Sequence, residues 1–437
     1  MRPPKSNYEL SSSQVATPPS VVDFYWRVMR SHRESLPRVV DLGAGDARFA
    51  KGGHFRQYLG IEIDPVVAKR AVLPRNAEMR VGCAFASNDD DFDGCIGNPP
   101  YVRHHYVASP WKEKTLEMLN QSLRGALDGH GNLYLYFIAL GLIKTKATGI
   151  VGVVVPFEWV SRPSSRGIRA VIDREGWNVS VYRFQKAIFN GVITTASISI
   201  IDKAERDGTW NFFDVSEQFA IAPQQGPIRG KSAALPHKKR GSVFAQRGLS
   251  PGSQKIFTLT EGERIHHGLH LMDVVPCVTS LKGLPDSLRK LNKSAFKTYF
   301  VDAGRRCWLI KSNRGTLSDR LRTYLDGIPA VARNTWTCKT QEPWYNYETP
   351  RVPKLLLLSG FISHGPRILR NHIRAVNVGS VYGLFFSDHV PITRLHKHLL
   401  NFDVESRVVP HAKTLKKIEV GQLNGLLEEW WHANRAR

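Results

Sequence analysis

The 437-residue chain has room for two ordinary domains, because a single hydrophobic core stops growing near about 250 to 300 residues. With 42% hydrophobic residues, 10% aromatics and a mean hydropathy of −0.28 it is too apolar for a disordered protein, and its longest nearly uncharged apolar run, Leu133 to Ile143, is too short to span a bilayer. An excess of 61 Lys and Arg over 38 Asp and Glu leaves a net charge of +23, which favours a polyanionic partner.

In chain order, the first ten residues carry Lys5 and Glu9 but no apolar core of a signal peptide, so a cytoplasmic protein is expected. Thr17-Pro18-Pro19 precedes an apolar helix over Val21 to Met29. A strand at Val39 and Val40 runs into Asp41-Leu42-Gly43-Ala44-Gly45, a glycine-bearing turn predicted to open a short helix, and a second strand covers Tyr58 to Ile63. Third and fourth strands fit Arg80 to Phe85 and Phe92 to Ile96. Leu133 to Ile143 reads as a buried helix, and Gly149 to Val155 is so evenly apolar that both faces of this fifth strand must be covered. Val179 to Phe184 and Thr195 to Ile201 would extend one edge. Strands alternating with helices predict an α/β, doubly wound Rossmann-like domain over residues 1–205.

Residues 206–240, rich in Gly, Pro and Gln and ending in Lys238-Lys239-Arg240, read as a linker. Residues 241–437 are expected to form a mixed α+β domain. Charge is uneven: residues 1–200 hold 25 basic and 18 acidic side chains, residues 201–437 hold 36 and 20. The second half is therefore the polyanion-binding candidate. Five cysteines without C-x-x-C spacing suggest free thiols, and no metal site is expected. His266, His267 and His270 read as a solvated or capping cluster.

Two strand ends carry the chemistry. Gly60-Ile61-Glu62-Ile63-Asp64 ends the second strand on a carboxylate suited to accept from both hydroxyls of a ribose. The fourth strand delivers Asn98-Pro99-Pro100-Tyr101 to the carboxyl edge of the sheet, where ligands of open α/β folds bind. An exocyclic amine conjugated to a purine is a poor nucleophile, because its lone pair is delocalised. Two acceptors aimed at its N–H groups, the Asn98 side-chain oxygen and the Pro99 carbonyl, favour the pyramidal form in which that pair is free. The prolines stiffen the loop, and Tyr101 offers a ring for a base to stack on, worth about 1 to 3 kcal/mol.

This tetrapeptide and its surroundings resemble the S-adenosylmethionine-dependent amino methyltransferases, most closely the γ-class DNA adenine-N6 methyltransferases. The family's order is T-P-P, glycine turn, ribose carboxylate, N-P-P-Y, then a recognition domain, and the resemblance covers roughly residues 14 to 203. The resemblance implies catalysis by Asn98, Pro99, Pro100 and Tyr101, and S-adenosylmethionine held by Thr17, Asp41, Gly43, Gly45, Glu62, Ile63 and Asn98. Within Lys186 to Asn190 it implies that Phe189 is a second aromatic plate facing Tyr101 across a flipped adenine. An acidic residue usual near the end of the third strand is replaced by Ala84, leaving Asn88, Asp89, Asp90, Asp91 or a backbone carbonyl to meet the cofactor adenine.

What the resemblance further implies is methylation of adenine N6 in double-stranded DNA by a monomer, as an orphan enzyme or as the modification half of a type II restriction-modification system whose endonuclease is a separate polypeptide. Ribosomal RNA or protein glutamine is the alternative substrate. The basic residues 241–437 would grip the DNA, with Ser242 to Thr260 opening that domain and Arg333 to Tyr347 interleaving cations, amides and aromatics in the manner of a base-reading loop.

Overall fold

The computed structural model describes residues 16–104, 107, 109–125, 127–189, 195–224, 241–312, 317–348, 350–361, 365–386, 390–403 and 416–434. They fall into two compact units, one holding the described residues up to 224 and the other those from 241 onward. Among them no helix is long and apolar enough to cross a membrane.

The first unit opens on α1 (Pro19–His32), whose Pro19 occupies the first helical position, where proline's missing N–H costs nothing. Its buried face anchors the N-terminal segment to the sheet: the Tyr25 hydroxyl donates to the Gly152 carbonyl at 2.6 Å and Trp26 Nε1 to the Phe49 carbonyl at 3.1 Å. There follow β1 (Leu36–Leu42), β2 (Phe55–Glu62), β3 (Ala77–Val81), β4 (Phe92–Gly97), α2 (Ser109–Leu123), α3 (Leu133–Lys144), β5 (Thr145–Pro156), α4 (Arg166–Glu175), β6 (Asn178–Phe184), β7 (Ala196–Asp202), β8 (Trp210–Val215) and β9 (Ile221–Pro223). They build one nine-stranded sheet in the order β3-β2-β1-β4-β5-β7-β6-β8-β9. Strands β1 to β5 are parallel, and β7 runs antiparallel between β5 and β6. The chain leaves β1 toward β2 and β3, then returns to lay β4 on the other side of β1, so a crevice opens at the carboxyl ends of β1 and β4.

Three expectations are corrected. No α-helix follows the glycine turn: Gly43, Gly45 and even Ala47 adopt positive φ (76°, 59° and 58°), which breaks helical continuation and leaves a single 3-10 turn at Arg48–Ala50. β3 ends at Val81, and Ala84 and Phe85 sit in a separate 3-10 turn beyond it. The stretch expected to begin a linker instead supplies β8 and β9, which pair with β6 and with each other; residues 225–240 lie outside those described.

The second unit is mixed α+β. One five-stranded sheet orders Val243–Gln246, Val381–Phe386, Leu355–Leu358, Ile368–Asn371 and Lys290–Leu291, covered on one face by the helices Ile392–Asn401 and Val420–Asn434. A four-stranded sheet joins Thr258–Leu259, Trp308–Ile310, Val274–Val278 and Val376–Asn377. Of the expected base-reading stretch, Tyr347 is buried, Trp344 packs on Phe257 and Arg333 lies over the Trp344 ring at 4.9 Å; these serve the core, whereas Asn334 and Lys339 are exposed. Among the three histidines, His270 caps the 3-10 turn Leu271–Asp273.

Candidate active site

Register places the two chemical segments side by side. Asp41 of β1 lies opposite Ile96 of β4, so the glycine turn after β1 and the Asn98 corner after β4 leave the sheet as neighbours. A Cβ on Gly43 would come within 3.5 Å of Pro100 Cδ and 3.4 Å of Phe137 Cε1, whereas one on Gly45 would meet nothing within 4 Å. A Cβ on Gly43 would thus make only ordinary contact with the corner, and it is the φ of +76° that favours glycine there; Gly45 faces open space.

Glu62 is buried at the tip of β2, and its carboxylate accepts from Gly45 N at 2.9 Å and from Asp64 N at 2.8 Å. Each oxygen keeps a further lone pair for an outside donor. Ile63, next along, is 41% exposed, an apolar surface beside that carboxylate. Asp41 is 1% exposed; Oδ2 accepts from the Tyr58 hydroxyl at 2.8 Å, while buried Oδ1 has no partner. Burial pushes this carboxyl up to about 7, with the Tyr58 hydrogen bond working against the rise.

At the corner, Asn98 Nδ2 donates to Thr17 Oγ1 at 3.0 Å, and Arg48, itself paired with Asp46 at 2.9 Å, donates to the Thr17 carbonyl at 2.9 Å. The other end of the amide, Asn98 Oδ1, is buried without a partner. A buried acceptor left unpaired costs about 1 to 3 kcal/mol, so this oxygen is held ready for a donor from outside the chain. Pro99 is buried, and the Tyr101 hydroxyl donates to the Val154 carbonyl at 2.9 Å, fixing the ring.

The expected stacking pair takes a different form. Tyr101 and Phe189 are neighbours, but their rings meet edge to face, 6.4 Å apart at 80°, and Phe189 is 4% exposed within the core. Parallel plates separated by a base are not the arrangement seen; Asn190, the end of that stretch, lies outside the described residues. Of the residues offered in place of Ala84, Asp89 is engaged by Arg80 and Ser87 and Asp90 by Lys144 at 2.7 Å, and Asn88 and Asp91 are exposed. Sequence reading missed Arg48 and Tyr58, which position Thr17 and Asp41. It also missed an aromatic group beyond β3, in which Phe85 stands edge-on to both Phe137 and Trp111. The one local signal for the first was the charged pair Asp46-Ala47-Arg48 directly after the glycine turn.

A sheet ordered 3-2-1-4-5-7-6 over its first seven strands with the seventh antiparallel, and a glycine turn, a strand-end carboxylate and an N-P-P-Y corner meeting at its switch point, define the class I S-adenosylmethionine-dependent methyltransferase fold. Comparison with known proteins narrows the class. Residues 56–189 match the Eco57I restriction-modification methylase family and residues 238–402 match the C-terminal domain of type II methyltransferase M.Eco57I; the chain is a restriction-modification methyltransferase of this Eco57I kind. It is 23% identical over 389 residues to type II methyltransferase M.AccI of Acinetobacter calcoaceticus, covering 76% of this chain and 68% of that one. To type II methyltransferase M.XamI of Xanthomonas campestris pv. amaranthicola it is 28% identical over 185 residues, 38% of this chain and 34% of the relative. Among solved structures, a nuclease-deletion mutant of the type ISP restriction-modification enzyme LlaGI, in complex with a DNA substrate mimic, aligns at a TM-score of 0.47 and 13% identity over 85% of this chain and 41% of that one. The methyltransferase subunit of a type I system from Streptococcus thermophilus aligns at 0.40 and 16%, covering 48% and 51%.

Proposed function

We propose that this chain is a γ-class DNA adenine-N6 methyltransferase that modifies an adenine flipped out of duplex DNA, serving as an orphan or as the modification partner of a separate endonuclease. The observation that carries this reading is the Asn98 amide: one end is tied to Thr17, and the other is a buried oxygen with no partner. An exocyclic amine supplies the missing N–H. The likeness to the type II methyltransferases M.AccI and M.XamI supports this reading.

The residues also fit S-adenosylmethionine. The open face above Gly45, the spare lone pairs of Glu62 and the unpartnered Asp41 Oδ1 match a small ligand with a ribose and an ammonium group. When bound, the cofactor supplies an electrophilic methyl group. Thr17, Asp41, Gly43, Gly45, Glu62 and Ile63 would hold it beside Asn98. The chain's own contribution to the chemistry is then orientation. Asn98 Oδ1 and the Pro99 carbonyl accept the two amine hydrogens, which draws the nitrogen lone pair out of conjugation and stabilises positive charge as it develops there. Tyr101, pinned through Val154, supplies a ring face, and Phe189 must turn or retreat for a base to lie between the two rings.

The test offers methyl-labelled S-adenosylmethionine to unmodified genomic DNA, ribosomal RNA and protein extract, followed by nucleoside mass spectrometry. The expected product is N6-methyladenine in DNA. Label confined to RNA or protein, or found on cytosine, would end the reading.

A further inference from the structure

Arg103 lies just past the Asn98 corner and is exposed. The two residues before it are held: the Tyr101 hydroxyl donates to the Val154 carbonyl, and buried Val102 accepts at its carbonyl from Leu133 N at 2.8 Å. The Arg103 side chain thus projects from a fixed base. It makes no hydrogen bond or ion pair with any described residue, whereas Arg33, Arg48, Arg80 and Arg183 are committed to Asp202, Asp46, Asp89 and Asp214. Nitrogen-bearing side chains lie nearby: His104 stands 6.0 Å from His130 ring to ring, with Asp128 Oδ1 3.8 Å from His130 Nδ1, and Lys112 lies alongside Gly129.

We infer that Arg103 is a positioning residue that takes a DNA backbone phosphate beside the extruded nucleotide. This rests on the function proposed above and deepens it. Extended chain covers roughly 7 Å in two residues, so a guanidinium two residues beyond Tyr101 is spaced to meet the backbone of a nucleotide whose base occupies the ring. The planar guanidinium binds phosphate oxygens in a bidentate manner, and a cation not already paired loses no internal contact when it does so. Fixing one phosphate orients the base that hangs from it without touching the reacting atoms.

The test compares the full-length wild type with Arg103→Gln, Arg103→Lys and Arg75→Gln on linearised unmodified plasmid DNA. Arg75 is an exposed cation in the turn before β3, at the opposite edge of the sheet, and controls for loss of one positive charge. Arg103→Gln should raise KM for DNA on the order of tenfold with kcat within about twofold, and reduce the slope of log affinity against log salt by about one. Arg103→Lys should recover most of that loss, and Arg75→Gln should move neither quantity. An unchanged KM and slope in Arg103→Gln, an equal effect from Arg75→Gln, a fall in kcat alone, or weakened S-adenosylmethionine binding with DNA binding intact would each overturn the assignment. Wild-type protein that labels no DNA would instead remove the functional reading beneath it.

Discussion

Asn98 and Thr17, 81 residues apart, are joined by a 3.0 Å hydrogen bond from the Asn98 amide nitrogen to the Thr17 hydroxyl. The bond sets which way the amide faces, and so decides that an oxygen, an acceptor, is turned inward at the carboxyl end of β4. Helix α1, tied to β5 through Tyr25 and Gly152, carries Thr17 to that place.

Removing the tether should therefore hurt turnover more than cofactor binding. Thr17→Val leaves Asn98 Nδ2 without its acceptor at a cost of about 1 to 3 kcal/mol, and kcat should fall on the order of ten- to a hundredfold. Steady-state methylation alongside calorimetric titration of S-adenosylmethionine checks this; equal losses in both would mean Thr17 acts chiefly on the cofactor.

Asn98→Ala should abolish methylation while leaving DNA affinity within a few-fold of wild type, because the side chain contributes acceptance at one nitrogen rather than grip on the duplex. Gel-shift titration on plasmid fragments measures the second quantity. A folded variant that loses binding and turnover together would refute the role given to the amide.

Glu62→Ala removes the acceptor for Gly45 N and Asp64 N as well as the lone pairs offered to a ribose. The dissociation constant for S-adenosylmethionine should rise at least about tenfold, equivalent to about 1.4 kcal/mol. Calorimetry that finds unaltered affinity would take Glu62 out of the cofactor site.

Gly97 holds φ at +124°, and a Cβ there would collide with Asp41 Oδ1. Gly97→Ala combines backbone strain with a clash against a buried carboxylate, so a loss of about 3 kcal/mol or more is expected, read as a lowered urea midpoint. A near-neutral result would show that the crevice between β1 and β4 relaxes freely.

Asp41 makes stability depend on pH. Its carboxyl is raised from the ordinary 3.8 to about 7, chiefly by burial, so between those values the folded protein holds a proton that the unfolded chain has released. Stability from this group is complete below about pH 4 and is lost as pH rises through 7. Asp41→Asn should flatten that decline, measured as urea midpoints at pH 5, 6 and 8; identical slopes for the two proteins would show that Asp41 ionises without cost.

The chemical segments were legible because each is short and local. Glycines at 43 and 45, a carboxylate at the end of a strand and Asn98 ahead of two prolines state their chemistry in consecutive residues, and alternation of strand and helix puts them on one edge of a sheet. β8 escaped notice because half-buried strands alternate weakly: Trp210 to Val215 is only partly covered until its last residue, and its neighbours are rich in polar and turn residues. Phe189 was recognisable as an aromatic near the site, but its ring orientation depends on packing against Tyr101 and the core behind it.

What the sequence by itself determined is the kind of fold, the donor and acceptor types available and the order in which they arrive. Tertiary structure alone decided which of those groups are already satisfied: among the described residues, Tyr58 takes one oxygen of Asp41 and none takes the other, Thr17 takes the nitrogen of Asn98 and leaves the oxygen, and Arg103 makes no hydrogen bond or ion pair. The reason is that residue chemistry is a local property of the chain, whereas pairing is set by the register of strands and helices that meet only after folding.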